Sequence, residues 1–397
     1  MIPRFAPSFD ARDVLSWLLP TRARVEDYER AFAARFGASE AVAFPYGRTA
    51  LWAFLRAKGI NSAEVVMPAY TCSVVAHSVV LSGNLPRFVD ITLEDYNPTA
   101  QAVHDAIGPR TRGVVATHTF GYPQDIDEIA RAVREAESRY GHRIWMVQDC
   151  AHAFGAERNG RLVAQSEDVA LFGLNISKIA NSIFGGMLTF QDADLAGAVR
   201  SWRDVHLRRS GVARELWHRA YALAATASLT QPMFGLTHAL QFRTPLLDRW
   251  TKAYHLDEEI RFPPDHDRTM TRVAAATGLR QLDRYDEIVE RRRRNAALYD
   301  EHLDLGPDCV KPPLVEGATY SHYVVRVPDR ESMVRKWARR GVQLGELIQY
   351  SIPHMPTYLG SDVEGFPNSL LASRHTVNFP VTSDSATVRR ILERDLR

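Results

Sequence analysis

The chain has 397 residues, of which 45% are hydrophobic and 24% are charged. This composition is typical of a globular protein, and the length predicts two domains, the second smaller than the first. Lys and Arg number 49 and Asp and Glu number 47, so the formal net charge is only +2. So small a charge creates no general field that would attract nucleic acid or an anionic membrane, and we expect neither as a partner.

The three cysteines, Cys72, Cys150 and Cys309, are far apart and lack CxxC or Cys/His ligand spacing. We therefore expect neither a disulfide framework nor a metal site. The first residues have no basic start, apolar stretch or small-residue cleavage site of a secretory signal. The most apolar stretch, 221–240, is interrupted by polar residues and a proline, so no transmembrane segment is expected. These features favour a cytoplasmic location.

Between residues 40 and 190, short apolar runs alternate with helical patterns, which is typical of βαβ units and a largely parallel sheet. The pattern predicts an α/β fold whose large domain contains a mainly parallel seven-stranded sheet covered by helices. Helices are predicted at 50–57 and 126–137 from apolar residues at helical spacing. The predicted strands are 41–44, 64–67, 87–90, 113–118, 144–148, 169–174 and 187–190.

The rest of the chain predicts a second unit. Apolar residues at helical spacing through 269–303 predict one long helix that joins two domains. The arginine run 291–294 lies on it, and we interpret this run as a solvated face with local ion pairs. Further on, a strand at 320–327 and a helix at 330–340 predict a small C-terminal α+β domain. The predicted domain ranges are 1–265 for the large domain and 266–397 for the linking helix and small domain.

Two residues indicate a cofactor. Asp149 stands at the end of one apolar run, and Lys178 follows shortly after the next apolar run. Lys178 can hold an aldehyde as a Schiff base, and Asp149 can keep a pyridine nitrogen protonated so that the ring accepts electrons. Each alone has an ordinary explanation, because strand-end aspartates often cap turns and most lysines are exposed. Together they predict a site for pyridoxal 5'-phosphate (PLP), with Lys178 as the catalytic residue.

A site for the cofactor's phosphate is predicted where a glycine turn runs into a helix. Gly47, Arg48 and Thr49 would begin this helix, and free N–H groups and the helix dipole favour an anion there. Arg48 adds a charged fork. Such junctions are common, so this one indicates phosphate only in combination with Lys178 and Asp149.

Taken together, these segments resemble the DegT/DnrJ/EryC1/StrS family of PLP-dependent sugar aminotransferases over nearly the whole chain. The resemblance implies the fold-type I architecture of aspartate aminotransferase. The matching stretches are 47–51 (GRTAL), 66–71 (VMPAYT), 88–91 (FVDI), 118–127 (HTFGYPQDID), 148–152 (QDCAH), 172–178 (FGLNISK), 185–186 (GG) and 270–271 (MT).

The resemblance also implies roles for individual residues. Lys178 would bind the cofactor aldehyde, Asp149 would partner the pyridine nitrogen, and His152 would lie beside the phenolic oxygen. Residues 47–49 would lie at the phosphate. Ser177, next to the lysine, is also assigned to the cofactor-binding set.

Several family positions are changed in this chain. Cys72 stands where the family usually has an aromatic residue that stacks on the cofactor ring, so either Tyr70 or a softer sulfur contact is expected to replace it. Alternatively, Cys72 is a small core residue. Gly173 stands where a serine commonly binds phosphate, and Arg48 where a threonine does. One charged contact would then replace two hydroxyls, and we assign all four residues to the cofactor site.

Two further features concern the assembly. Asp267 lies near the place of an asparagine that reaches the neighbouring subunit's phosphate in relatives, and Arg268 is the alternative donor. Residues 202–261 carry an apolar stretch that we interpret as core or dimer interface. The alternative interpretation is that this stretch binds a lipid-linked substrate. The resemblance implies a homodimer with shared active sites.

These features predict a PLP-dependent aminotransferase that moves an amino group from an amino acid such as glutamate to a keto sugar, most plausibly a nucleotide-linked one. Lys178 favours transamination over deoxygenation, because dehydratase relatives carry histidine there. The alternatives are other PLP-dependent chemistry, transamination of a non-sugar or lipid-linked carbonyl, and a non-catalytic sensor with this fold. Of the histidines considered as general acids, His118, His152 and His354, only His152 has motif support.

Overall fold

The computed structural model describes residues 1–165, 168–230, 233–235, 259–358 and 365–395. Its strands in chain order are β1 (Glu40–Phe44), β2 (Glu64–Pro68), β3 (Leu85–Val89), β4 (Thr111–Thr117), β5 (Trp145–Asp149), β6 (Glu157–Arg158), β7 (Arg161–Leu162), β8 (Val169–Gly173), β9 (Gly186–Phe190), β10 (Tyr323–Arg326) and β11 (Thr376–Phe379).

Seven strands form the central sheet in the spatial order β1-β9-β8-β5-β4-β2-β3. Strand β9 is antiparallel to its neighbours β1 and β8, and the other pairs are parallel. All five residues of β2 and of β9 are buried, as expected where helices cover both faces of a parallel sheet. The predicted α/β class and the mainly parallel seven-stranded sheet are confirmed.

Helices cover the sheet and build the second unit. No helix in these described ranges is long and apolar enough to cross a membrane. The helices are α1 (Ala11–Leu18), α2 (Val25–Arg35), α3 (Gly47–Ala57), α4 (Ser73–Leu81), α5 (Ala100–Ala106), α6 (Ile126–Tyr140), α7 (Ala193–His206), α8 (Val212–Ser228), α9 (Arg272–Asp283), α10 (Tyr285–His302), α11 (Arg330–Arg339), α12 (Pro367–His375) and α13 (Ser385–Asp395).

Helix α6 illustrates how local sequence sets these boundaries. The Asp125 side chain accepts a hydrogen bond from the Glu128 N–H at 3.2 Å and so caps the first turn. Gly141 ends the helix with φ +69°, a conformation that costs glycine little. Ile129 and Val133 lie on the buried face between these ends. Cap residues and apolar spacing together explain why this helix was predictable.

The prediction of one long helix through 269–303 is wrong. The structure has two helices, α9 and α10, separated at Arg284 with φ −109° and ψ 9°. The Arg284 guanidinium pairs with Asp10 at 3.0 Å and with Asp13 at 2.5 Å. No proline or glycine lies at this break. The ion pairs of Arg284 with Asp10 and Asp13, which are distant in sequence, accompany it instead.

The C-terminal unit is small and of the α+β type, as predicted. Strands β10 and β11 pair antiparallel, and an aromatic core lies beneath them. In that core the Tyr299 and Tyr323 ring centroids are 5.1 Å apart, as are those of Trp337 and Phe379. Strand β10 is shorter than predicted because Tyr320 has φ +45°, outside the strand region. The division of the chain after residue 265 stays a prediction.

The apolar stretch 202–261 is partly packed and partly exposed. Tyr221 of α8 lies 4.7 Å from Phe184 between ring centroids and belongs to an apolar cluster that includes Trp17. On the outer side of the same helix, Val212 and Leu216 are 75% and 60% exposed. Residues 231–232 and 236–258 lie outside the described part of the chain, so the remainder of the predicted stretch is not described here.

Candidate active site

The carboxyl ends of β1, β5 and β8 lie at one edge of the sheet, where α/β proteins place ligands. Asp149 ends β5 and pairs in register with Leu171 of the neighbouring strand β8. Lys178 follows β8 in a turn closed by its N–H, which donates to the Asn175 carbonyl at 3.0 Å. The parallel pairing of β5 with β8 therefore brings the two residues that sequence analysis combined into one site.

Asp149 is an enclosed carboxylate, only 4% exposed. Its Oδ1 accepts a hydrogen bond from the Ala151 N–H at 3.0 Å. Burial raises the pKa of Asp149, while this hydrogen bond and the positive charge of Lys178 oppose the shift. A cation bound beside it would therefore favour the ionised form.

Lys178 has the complementary electrostatics. Burial of the amine lowers the pKa of Lys178, and negative charge on Cys72 or Asp149 would raise it again. The Lys178 side chain lies next to the end of β8, since a Cβ at Gly173 would lie 3.4 Å from the Lys178 Cε. A lowered pKa increases the fraction of neutral amine, which is the form that attacks an aldehyde.

His152 is buried next to this pair. Its Nδ1 accepts a hydrogen bond from the Phe120 N–H at 3.4 Å, and the two rings are stacked with centroids 6.0 Å apart. Burial and the charge of Lys178 hold the pKa of His152 well below its ordinary value. His152 is therefore neutral near pH 7. Phe120 has φ +57°, an unfavourable conformation for a bulky residue that packing maintains here.

The predicted phosphate site lies at the amino end of α3. Its N-cap residue, Tyr46, provides no side-chain hydrogen bond to the first turn. The first N–H groups of the helix, at Gly47, Arg48 and Thr49, are therefore not capped by that side chain. The Thr49 hydroxyl is buried and has no hydrogen-bond partner in the described part of the protein. A helix terminus with this set of donors suits an anion.

Three glycines allow the backbones to approach closely at this point. A Cβ at Gly186 would lie 2.5 Å from the backbone of Tyr46 and Gly47, and one at Gly47 would lie 3.3 Å from the Gly173 Cα. A Cβ at Gly173 would lie 3.4 Å from the Lys178 Cε, which is ordinary van der Waals contact. The close approach explains why glycine occurs here without any need for positive φ.

We predict that Gly186→Ala lowers the free energy of unfolding by about 3 kcal/mol, the upper end of the typical range for overpacking, because the added methyl overlaps backbone atoms. Gly197→Ala in α7 is the matched control, since a Cβ there meets nothing within 4 Å. The control is expected to gain about 0.5–1 kcal/mol from helix propensity. Urea denaturation measures both values, and equal stability of the two variants would contradict the close packing.

Tyr70 and Cys72 lie on the loop after β2. The Tyr70 hydroxyl is 3.1 Å from Thr376 Oγ1 of the small unit, and its ring packs 6.1 Å from that of Phe120. Tyr70 is fully buried by these contacts. Cys72 is a partly exposed cysteine that forms no disulfide in the described part of the chain, and it is close enough to influence Lys178. Of the two residues considered for stacking, Tyr70 is therefore engaged with the small unit, whereas Cys72 lies within electrostatic range of Lys178.

The remaining predicted site residues have local partners. The Ser177 hydroxyl donates to Asn175 Oδ1 at 2.7 Å and is exposed beside the lysine. Asp267 forms an ion pair with Arg208, whose Nε donates to it at 2.9 Å. A carboxylate by itself repels a phosphate, and the ion pair with Arg208 offsets the charge of Asp267. Arg268 lies 3.9 Å from Asp267.

The two other candidate histidines are engaged elsewhere. His118 is buried, its Nδ1 accepts from the Gln124 N–H at 3.0 Å, and burial lowers its pKa to about 4. His354 Nδ1 lies 3.0 Å from the Ser351 hydroxyl. Both have the hydrogen-bonded environment that is usual for structural histidines.

Sequence analysis missed two residues near the site, and its interpretation of the arginine run 291–294 as solvated is wrong for one member. Arg292 is only 3% exposed, and its Nη1 donates to the Ser321 carbonyl at 2.7 Å. His322 follows Ser321 and lies 5.4 Å from His152 between ring centroids. No motif marks either residue, because a fold contact between α10 and the segment before β10 brings them to the site.

The described residues contain no group of three or more His, Cys, Asp or Glu side chains that could hold a metal ion. The site consists instead of an amine, a buried carboxylate, a neutral imidazole and an uncapped helix terminus. These groups lie at the carboxyl edge of a mainly parallel seven-stranded sheet with a small α+β unit beside it. That combination defines the protein as a fold-type I transferase.

The particular family follows from comparison with known proteins. Residues 12–394 match the model of the DegT/DnrJ/EryC1/StrS aminotransferase family, and the chain belongs to this family. It is therefore an aminotransferase-family enzyme, which confirms the predicted resemblance.

Two curated relatives and one solved structure illustrate the similarity. The chain is 28% identical to GDP-perosamine synthase of Caulobacter vibrioides over 81% of this chain and 73% of that protein. It is 25% identical to the spore coat polysaccharide biosynthesis protein SpsC of Bacillus subtilis, over 90% of this chain and 84% of SpsC. The PLP form of the putative sugar aminotransferase Spr1654 from Streptococcus pneumoniae has a TM-score of 0.73 and 18% identity, covering 98% of this chain and 96% of that one.

Proposed function

We propose that this enzyme uses PLP to transfer an amino group from glutamate to the keto group of a nucleotide-linked sugar. The observation that carries the proposal is the pairing of a desolvated lysine amine with a buried carboxylate at adjacent strand ends, Lys178 after β8 and Asp149 at the end of β5. The sugar substrate is supported by family membership and by the name of a relative, GDP-perosamine synthase.

The residues present fit PLP at each of its functional groups. Lys178 would hold the aldehyde carbon, Asp149 the protonated pyridine nitrogen and neutral His152 the phenolic oxygen. The uncapped start of α3, with the buried Thr49 hydroxyl, would hold the phosphate together with the charge of Arg48. When bound, the cofactor supplies an electron sink for the carbanion that forms when a proton leaves the donor's Cα.

Asp149 and His152 would act on different parts of the cofactor, Asp149 as a carboxylate and His152 as a neutral imidazole. The buried Asp149 carboxylate favours a positive charge close by and so keeps the proton on the heterocycle. His152 stays neutral because burial and the nearby Lys178 charge oppose its protonation. A neutral imidazole can share a hydrogen bond with an oxygen without adding a second positive charge. Together, Asp149 and His152 would confine the positive charge to the pyridine nitrogen, where it makes the cofactor ring an electron acceptor.

Lys178 carries the proton. With a donor amine in its place, the Lys178 side chain would be free to move a proton, and its lowered pKa favours the neutral amine, the form that can accept the proton from the donor's Cα. The same amine would then deliver that proton to the carbon that derives from the cofactor's aldehyde group. The second half of the cycle reverses this transfer on the keto acceptor.

The assembly and location are part of the proposal. We infer a homodimer with active sites shared between subunits, in the cytoplasm. Exposed apolar side chains on α1 and α8 are consistent with a subunit interface. These side chains include Leu15 (56%), Leu18 (63%), Val212 (75%), Leu216 (60%) and Trp217 (40%).

Two separate half-reactions test the function. Incubation of the PLP-loaded enzyme with glutamate is expected to release 2-oxoglutarate in a stoichiometric amount without an acceptor. The resulting amine form is then offered a panel of UDP-, GDP- and dTDP-linked keto sugars and, as a comparison, simple aldehydes. Release of 2-oxoglutarate followed by amination of one sugar supports the proposal. Carbon dioxide or ammonia instead of 2-oxoglutarate would indicate other PLP chemistry, and no reaction with any amino acid would contradict an aminotransferase.

A further inference from the structure

The loop that carries Lys178 is closed at its base by backbone hydrogen bonds. It runs from Leu174, directly after β8, to Gly185, directly before β9. The Ser182 N–H donates to the Leu174 carbonyl at 2.8 Å, and the Leu174 N–H donates to the Gly185 carbonyl at 2.9 Å. Lys178 lies inside this closed loop. The position of its amine therefore depends on the residues that hold the base of the loop.

A strained turn lies in this base. The Phe184 N–H donates to the Ser182 carbonyl at 2.8 Å, which closes a three-residue turn with Ile183 at its centre. Ile183 has φ +71°, so this is the rare, strained γ-turn and not the common inverse γ-turn. A β-branched side chain makes such a φ still less favourable. The turn persists only because its surroundings hold it in place.

Apolar packing holds one side of the turn. Ile183 is fully buried in an apolar cluster that includes Tyr46. The Phe184 ring centroid is 4.7 Å from that of Tyr221 on α8 and 6.2 Å from that of Tyr46. Tyr46 is the N-cap residue of α3, where the proposed phosphate site begins. The turn therefore joins the loop that carries Lys178 to the phosphate end of the candidate site.

Asn181 holds the other side of the turn. Its Oδ1 accepts a hydrogen bond from the Ile183 N–H at 3.4 Å, and its Nδ2 donates to Gln281 Oε1 of α9 at 3.2 Å. Gln281 is itself oriented by its Nε2, which donates to the Ser8 carbonyl at 2.9 Å. Asn181 is only 1% exposed and Gln281 is fully buried, so loss of the bond between them would leave buried polar atoms unpaired. One amide side chain therefore links the strained turn to α9.

We propose that Asn181 is a positioning residue, which maintains the strained turn at Ile183 and so fixes the loop that places the Lys178 amine at the cofactor aldehyde. Without the Asn181 side chain, Ile183 can relax towards negative φ, and the base of the loop moves with it. A displacement of about 1 Å at the reacting atom is enough to lower a rate by about 10²-fold. This inference rests on the proposed function and adds to it the group that orients the catalytic amine.

Asn181→Ala removes both side-chain hydrogen bonds. The limiting rate constants of both half-reactions are expected to fall by about 10- to 10²-fold, while the glutamate concentration for half-saturation changes by less than about 3-fold, because the amine is misplaced and the substrate contacts are kept. Capture of PLP by the cofactor-free protein, trapped with borohydride, should slow by a similar factor. Asn181→Asp keeps the acceptor for Ile183 and loses the donor to Gln281, so its rates should lie between those of the wild type and Asn181→Ala.

Asn84→Ala is the matched control. Asn84 is also buried, and its Nδ2 donates to the Ile60 carbonyl at 2.9 Å, at the opposite edge of the sheet from Lys178. Its replacement should lower stability, as the loss of a buried amide does, without changing either half-reaction or the capture of PLP.

Hydrogen exchange tests the turn without cofactor or substrate. In the cofactor-free protein, mass spectrometry of peptides that cover residues 174–185 should show faster exchange in Asn181→Ala than in the wild type or Asn84→Ala. A matched pair then tests the strain. In the Asn181→Ala background, Ile183→Gly and Ile183→Ala leave cavities of similar size, but only glycine accepts positive φ without strain. The variant with glycine should capture PLP faster than the variant with alanine.

Three results would overturn the inference. They are unchanged exchange in Asn181→Ala, unchanged half-reactions and PLP capture in Asn181→Ala and Asn181→Asp, and equal capture by the glycine and alanine variants at position 183. A wild-type enzyme that fails the glutamate half-reaction, with the exchange results as expected, contradicts the proposed function instead.

Discussion

Replacement of Lys178 by alanine is expected to abolish covalent capture of PLP and to lower the transamination rate by at least about 10⁴-fold, since one amine both binds the aldehyde and moves the proton. The covalent link is measured without reference to activity. Borohydride reduction of the PLP-loaded protein, followed by proteolysis and mass spectrometry, should place the cofactor on the peptide that contains Lys178.

Lys58→Ala provides the control for this experiment. Lys58 lies over the Trp145 ring, 4.3 Å from its centroid, and has no role in the proposed site. It should leave the reduced peptide and the rate unchanged. A cofactor trapped on a different lysine in the wild-type protein, or full capture by Lys178→Ala, would show that the site is wrongly assigned.

Replacement of Asp149 by asparagine is expected to lower the transamination rate by roughly 10²- to 10⁴-fold, which corresponds to the 3–5 kcal/mol typical for removing one partner of a buried charge pair. The amide keeps the shape and the hydrogen bond from Ala151, so the loss isolates the charge. Spectroscopic titration of bound PLP should also show a less basic pyridine nitrogen.

The same substitution has the opposite effect on the protein without cofactor. Burial raises the pKa of Asp149, so the folded state binds this proton more tightly than the unfolded state and ionisation destabilises the fold as pH rises. Asp149→Asn is therefore expected to be more stable than the wild type at pH 7, with the difference disappearing at pH values below the ordinary pKa of aspartate. Denaturant unfolding at several pH values measures this, and an apo variant less stable at neutral pH would indicate a structural role.

Asp168→Asn is the matched control. Asp168 precedes β8 and accepts a hydrogen bond from the Met146 N–H at 2.9 Å, far along the strands from their carboxyl ends. It also forms an ion pair with Arg143. Burial raises the pKa of Asp168 as it does that of Asp149, so the two carboxylates differ in their distance from the proposed cofactor and not in the direction of this shift. We expect Asp168→Asn to leave the PLP spectrum intact.

Much of the sheet was predictable because each strand and its covering helix have their own periodicity. All seven predicted strands overlap strands of the observed sheet, and α6 has both of its cap residues in sequence. Parallel strands buried on both faces have continuous apolar runs, which are visible without tertiary information. Lys178 and Asp149 were candidates for the same reason, because Asp149 ends such a run and Lys178 follows one within a few residues.

Tertiary contacts determined the rest. The break at Arg284 follows from ion pairs with α1, and Tyr70 is held by a hydroxyl of β11. The burial of Arg292 and the approach of His322 depend on how α10 packs against the segment before β10. Arg291 and Arg293, the neighbours of Arg292 on α10, are also arginines. The local sequence therefore gives no reason to expect that Arg292 is the buried one.

The sequence by itself therefore determined the fold class, the family and the two residues that we propose to interact with opposite ends of the cofactor. These depend on local patterns whose physical cause, burial of a strand or a helix face, acts over a few residues. Only the tertiary structure decided which arginine is buried, which histidine of the small unit faces Lys178 and where the long helical segment divides. Those outcomes depend on contacts between segments far apart in the chain, and the free energy of such contacts is absent from any local pattern.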